Sequence, residues 1–212
     1  MLITLRVVMM AKNKSGRLVV ELWCEGNVEE EYFKGLTGEL ELGHVRFDIK
    51  NLGGGNYGSI WRKLKNPYLD KVMIVVDLDR AKCDKVEAEN LDKLISYVKK
   101  NKGNRFLFLT CENFEDWLRY HFIDGAQKSR ERMYEKFGVR GEQDFKRDCE
   151  NIYERVKQKG GDIAYAESYF GNLRERQGVF CDEDCGIIKK ANIGNLQSTL
   201  CKFREVVRNL KP

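Results

Sequence analysis

The chain has 212 residues, 33% of them charged and 42% hydrophobic, with seven cysteines, two prolines and a formal net charge of +5. This length can bury a core without disulfide staples, and the composition excludes disordered, collagenous and fibrous classes. An odd number of cysteines spread over a mid-sized chain argues against a secreted disulfide framework and for a reducing cytoplasm.

The opening "MLITLRVVMM" is too short to span a bilayer and is interrupted by Arg6. The basic "AKNKSGR" that follows offers no small-residue cleavage site, so neither a signal peptide nor a membrane partner is expected. Met9 and Met10 leave a later start open. "RLVVELWC" (17–24) reads as a strand buried on both faces. A helix follows, with Asn27 as its cap, Glu30 as the capping-box partner, and Val28, Tyr32 and Leu36 as its buried stripe. "VRFDIKNL" (45–52) alternates as a second strand. "GGGNYGS" (53–59) is a loop, either bringing backbone amides to a phosphate or simply connecting, and "IWRKLKN" begins a short helix that ends before Pro67.

"KVMIVV" (71–76) is the strongest central strand. Residues 84–102 form a helix with Val86, Leu91, Leu94, Ile95 and Val98 inward, and "RFLFLTC" (105–111) is the next strand. From residue 112 the periodicity is helical, through "FEDWLRYHF", "DFKRDCENIYERVKQKG", "IAYAESYFGNLRERQ" and "STLCKFREVVRNL". Phe114, Trp117, Leu118, His121 and Phe122 share one stripe, so His121 packs in or beside the core, in a supporting rather than a catalytic position. Cys181 and Cys185 have the spacing of half a zinc site, but the chain has two histidines and no second close cysteine pair, so idle thiols are the better reading.

Alternating strands and helices predict an α/β domain with a mostly parallel sheet, whose ligands collect at the carboxyl ends of the strands. Glu25, Asp77 and Asp79 all fall at that edge, each following an apolar strand. Carboxylates so placed repel one another, and a hard divalent cation, Mg²⁺ or Mn²⁺, removes the repulsion. The two aspartates of "DLD" can share one face, leaving Glu25 as a third ligand or as the acceptor of a proton from attacking water. Each part alone has a plainer reading: a Glu-Gly turn, an Asp capping the next helix, Arg80 pairing with an Asp, and first-turn acids at Glu29, Glu30 and Glu31.

In combination, Glu25-Gly26 and Asp77-Leu78-Asp79 resemble the Toprim domain shared by topoisomerases, primases and several nucleases. "CEGNVEEEYF" (24–33) and "CENFEDWLRYHF" (111–122) bring the chain closer to the RloB-like family of bacterial defence-associated Toprim proteins. Val28 replaces the hydroxyl residue usual in the first segment, Cys111 stands where Ser is common, and the family's Pro is absent from "CENFEDW". The resemblance implies a Toprim-like α/β domain over residues 16–125 and a helical extension, 126–212, packed on it. It implies metal-binding or catalytic roles for Glu25, Asp77 and Asp79, with Glu29 as a further ligand and Glu115 lining the site or tying the helical segment to it.

The expected function is a divalent-metal-dependent nuclease acting on DNA or RNA in antiphage defence. Residues 1–127 hold 20 Lys/Arg against 19 Asp/Glu, and residues 128–212 hold 18 against 14. The basic excess of the second half makes Lys146, Arg147, Lys157 and Arg174 candidates for the phosphate backbone, and a solvated helical surface would look the same. The alternative is a non-catalytic module that binds a nucleotide or partner. No GxxxxGK[ST] motif is present, so an ATP-driven step needs a separate ATPase. A haloacid-dehalogenase-type phosphatase also uses Asp-x-Asp, but on its first strand, whereas here the motif follows a later one. The helical half carries enough amphipathic surface for a homodimer.

Overall fold

The computed structural model describes residues 16–66, 69–110, 113–176, 181–182, 187–188 and 199–210, with side chains described for all of these but 173–176 and the two short pairs. The opening apolar segment with Met9 and Met10, and Cys111 and Cys185, lie outside the described residues. Four strands form one parallel sheet in the order β2-β1-β3-β4: β1 is Leu18–Cys24, β2 Val45–Asn51, β3 Lys71–Asp77 and β4 Arg105–Thr110. The expected α/β architecture with a helical C-terminal region is therefore the observed one.

Strand periodicity divides the core. Val20, Leu22, Cys24, Met73, Val75, Phe106 and Phe108 face one side, while Trp23, Val72, Ile74, Val76, Leu107 and Leu109 face the other. Three helices cover the second face: α2 (Tyr57–Leu64), α3 (Asp79–Cys83) and α4 (Lys85–Lys100). The first face receives α1 (Asn27–Glu39), α5 (Phe114–Arg119), α6 (Arg130–Phe137), α7 (Glu142–Arg147), α8 (Ile152–Gln158), α9 (Ile163–Arg176) and α10 (Phe203–Arg208). The helical extension thus shares one continuous core with the sheet. A two-stranded antiparallel pair, β5 (Cys181–Asp182) and β6 (Ile187–Ile188), forms a second small sheet beside β4.

Several local expectations are corrected. Gly26 rather than Asn27 is the cap of α1, without a side-chain bond, because the Asn27 amide oxygen accepts from Asn51 Nδ2 at 2.6 Å instead. The helix after the glycines begins three residues early, because Asn56 caps it by accepting from the Ser59 amide at 2.8 Å. Val86 is 63% exposed: Asp84 caps α4 and leaves its first turn beyond the sheet. The predicted helix over 144–160 splits into α7 and α8 where Asn151 takes a left-handed backbone with φ 53°. The charged helix α6 was not among the predicted elements.

His121 is fully buried in a closed ring of hydrogen bonds. Its Nδ1–H donates to the Trp117 carbonyl (3.1 Å), its Nε2 accepts from the Tyr32 hydroxyl (2.7 Å), and Trp117 Nε1 donates to Tyr32 Oη (3.4 Å). Burial holds its pKa down to about 4. α1 and α8 approach at Gly35, where an added Cβ would lie 2.6 Å from Tyr153 Cβ.

Two outcomes follow. Gly35→Ala, ordinarily a gain of about 1 kcal/mol in a helix, here forces the helices apart and destabilises by about 1–3 kcal/mol in urea unfolding. His121 is neutral when folded and titrates near 6.5 when unfolded, so its contribution is complete above that pH and is lost toward pH 4, about 3 kcal/mol in all. The loss is read as a fall in unfolding free energy that His121→Gln, which cannot charge, flattens.

Candidate active site at the carboxyl edge of the sheet

β1 and β3 are adjacent and parallel, so their carboxyl ends open on the same edge. Glu25 follows Cys24 directly, and Asp77 ends β3. The Asp77 amide donates to Glu25 Oε2 at 3.2 Å, joining the two motifs. Glu25 Oε1 is paired with Arg80 Nη2 at 3.0 Å, and Arg80 Nη1 donates to the Gly55 carbonyl at 2.9 Å. Arg80 thus pairs with the glutamate, while its amide donates to Asp79 Oδ1 at 2.6 Å. Thr110, opposite Asp77 in the β3–β4 register, donates its hydroxyl to Asp77 Oδ1. Tyr57 donates to the Asp77 carbonyl.

Glu25, Asp77, Asp79 and Arg80 line a cleft of about 410 Å³ that also takes in Glu29, Glu115 and Lys146. Glu29 lies one helical turn after Glu25 and is buried with its carboxylate folded back: a Cβ on Gly26 would meet Glu29 Oε2 at 3.0 Å. Glu115, in the first turn of α5, is 3% exposed, with Lys146 Nζ of α7 at 3.7 Å. Five carboxylates (Glu25, Glu29, Asp77, Asp79, Glu115) therefore share the walls with two cations, Arg80 and Lys146.

That imbalance shows in the acids. Burial, reinforced by the charges of Glu29 and Glu25, pushes Asp77 up to about 9 despite the Thr110 bond. Burial, with Glu115 and Glu25 as neighbours, raises Glu29 to about 7. Burial also raises Glu25 and Glu115, against the opposing influence of Arg80 and of Lys146 respectively. The first two glycines of the loop serve its conformation: Gly53 and Gly54 have φ of 67° and 70°, and their amides are already given to Asn51 Oδ1 (2.7 Å) and the Glu25 carbonyl (2.9 Å).

The donor set fits a hard cation: several carboxylates, with no histidine or cysteine among the lining residues. Among the described residues no three such donors are gathered into a ready-made ligand cage. Arg80, through its guanidinium and its amide, with Thr110 and the Asp77 amide, holds four of the carboxylate oxygens. The fit is thus to an ion that takes few protein ligands, as Mg²⁺ does beside phosphate and water.

Of the other sequence candidates, His121 belongs to the core ring and does not line the cleft. Arg147 pairs with Asp144 at 2.6 Å, and Lys157 with Glu39 at 2.5 Å and Glu154 at 3.6 Å. Arg174 lies in α9, with its side chain outside the described residues. The sequence reading missed Thr110 and the Asn27–Asn51 pair; the signal available for Thr110 was its place at the end of the strand after the Asp-x-Asp.

A family model described as RloB-like protein matches residues 20–199, which include every residue of the cleft. The chain belongs to the RloB-like family. No curated protein and no solved structure matches this RloB-like chain.

The raised acids give a pH signature. Asp77 and Glu29 bind protons more tightly folded than unfolded, so without metal their contribution to stability is present below about pH 4 and is lost as pH rises through about 7 and 9. Mn²⁺ is expected to raise Tm more at pH 8.5 than at pH 5.5, because binding to carboxylates displaces protons. Thermal denaturation with and without the ion measures this, and Asp77→Asn should shrink the difference.

Proposed function

We propose that this RloB-like chain is a Toprim-type, Mg²⁺- or Mn²⁺-dependent nuclease that hydrolyses phosphodiester bonds of DNA or RNA, acting in defence against phage. The observation that carries the reading is the convergence of Glu25 and Asp77-Leu78-Asp79, from adjacent parallel strands, on a cleft with more carboxylates than cations. In this reading Asp77 and Asp79 hold the ion, with Glu25 and Glu29 completing the set. When bound, the ion supplies positive charge to phosphate oxygens and makes water more acidic.

The remaining work falls to the chain. Thr110 fixes Asp77 Oδ1, so the carboxylate presents its second oxygen to the cleft. Glu25, raised by burial, is suited to take a proton from attacking water at a carboxylate oxygen once Arg80 releases Oε1. A guanidinium released beside a phosphodiester is in turn a ready donor to its oxygens. Lys146 offsets negative charge at the opposite wall, next to Glu115.

The second reading is a non-catalytic Toprim module that binds a nucleotide or partner and works with a separate ATPase. It is favoured by one feature: both Glu25 oxygens are engaged by the chain's own donors.

Purified protein incubated with plasmid DNA, single strands and tRNA in Mg²⁺ or Mn²⁺ separates the two. Metal-dependent cleavage that drops by about a hundredfold or more in Glu25→Gln and Asp77→Asn is expected. Asp77→Asn should hold Tm near neutrality and raise it as pH approaches 9, since the amide cannot take on the charge that destabilises the folded state there. Undiminished cleavage by both variants overturns the nuclease reading. Absence of cleavage together with co-purification of an ATPase or a nucleotide supports the module.

A further inference from the structure

The basic residues expected to meet nucleic acid are placed in the helical half, yet Arg147 and Lys157 are both engaged in ion pairs there. A different basic surface lies on the opposite face of the sheet, over α2. Arg62, Lys63 and Lys65 are exposed on or just after this helix, and none makes an ion pair among the described residues. Arg62 donates to Ser59 Oγ at 3.1 Å, and Lys65 Nζ lies 3.3 Å from the Trp61 ring centroid.

Their surroundings connect them to the active-site cleft. Asn51 lines both that cleft and a neighbouring groove walled by Arg62, Lys63 and Lys65, and by Lys50 and Glu21, which pair with each other at 2.9 Å. Lys65 lines this groove and also the next, where α4 adds Lys93 and Lys100. One residue is shared at each junction, so the grooves along α2, predominantly basic despite Glu21 and Asp92, run up to the rim of the carboxylate cleft. Basic residues in the last turn of a helix also complement its dipole. That accounts for Arg62 and Lys63 on α2 and for Lys100 on α4, but not for Lys65 beyond the helix or Lys93 within its neighbour.

We infer that the α2–α4 face is the track for a nucleic-acid backbone whose phosphates run from the Lys65 groove past Asn51 into the carboxylate cleft. The direction of the track rests on the reading of the cleft as a phosphodiester site; the existence of the binding surface does not. α2, with eight residues, is about 12 Å long, enough for about three phosphates of one strand. Charge complementarity selects a polyanion, and continuity with the cleft selects nucleic acid over an acidic protein surface. Trp61 and Tyr97, which line the groove beside α4, offer apolar contact to sugar or base without sequence readout.

The test is binding without cleavage: fluorescence anisotropy of labelled single-stranded and duplex oligonucleotides in EDTA over a range of salt. The triple substitution Arg62→Ala, Lys63→Ala, Lys65→Ala should weaken binding at least about tenfold at low salt. It should also reduce the magnitude of the slope of log affinity against log salt by about 2 to 3, at about 0.7 to 0.9 per lost contact. Arg147→Ala with Lys157→Ala is the control and should change neither. An unchanged Tm in the triple variant, whose three residues are exposed, keeps the comparison free of misfolding.

Equal affinity and slope in wild type and triple variant overturn the proposal, as does binding lost in the control pair instead. Failure of the wild type to bind any oligonucleotide also overturns it, and leaves the surface to an acidic protein. Binding that depends on the three residues, without metal-dependent cleavage of any substrate, sinks the nuclease reading and with it the direction of the track, and upholds the binding surface.

Discussion

Mutual repulsion among carboxylates at the carboxyl edge of a parallel sheet is the constraint around which the rest of this structure is arranged. Five acids line one cleft, and burial removes much of the water that would otherwise screen them. The neighbouring groups answer that repulsion one oxygen at a time. Arg80 and the Asp77 amide hold Glu25, Thr110 holds one oxygen of Asp77, and Lys146 approaches Glu115. Burial, joined by the repulsion that remains, is why Asp77 and Glu29 keep their protons to about 9 and 7. Functional sites often retain such unresolved charge, because the ligand that resolves it is then bound strongly.

The helical extension belongs to this arrangement. Glu115 and Lys146 reach the cleft from α5 and α7, whose apolar faces are buried in the same core as α1 and the sheet. The His121 ring links α1, through Tyr32, to the end of α5, so the element carrying Glu29 and the element carrying Glu115 are tied together behind the cleft. A neutral imidazole serves this purpose well: one nitrogen donates and the other accepts, which a charged ring could not do. The two faces of the sheet thereby take different tasks. One supports the acids, while the other presents Arg62, Lys63 and Lys65, which make no ion pair among the described residues.

Much of this frame is legible in the sequence. Apolar strands of about seven residues, each followed by a turn, mark the sheet, and acids just past two of them mark its functional edge. The stripe Phe114, Trp117, Leu118, His121 and Phe122 is wholly buried even though α5 stops at Arg119, because the turn that follows keeps the same face inward. Local competition was harder to read. Asn27 has the side chain of a helix cap, yet its amide oxygen is taken by Asn51 from the neighbouring strand. Val86 has the spacing of a core residue, yet the first turn of α4 runs beyond the sheet. Lys146 and Arg147 are adjacent in sequence, but only Lys146 lines the cleft.

By itself the sequence determined the strands, the parallel α/β class and the placing of Glu25 and the Asp-x-Asp at one edge of the sheet. Periodicity and residue type are local properties, and the carboxyl end of a buried strand is a fixed place in such a sheet. Only the tertiary structure decided which charges meet. It gave Arg80 to Glu25 and Thr110 to Asp77, enclosed Glu29 and Glu115 in the same cleft, and left the basic face of α2 without ion pairs among the described residues. Charge partners are chosen by distance in space, and the residues that share this cleft are separated by up to about 120 positions along the chain.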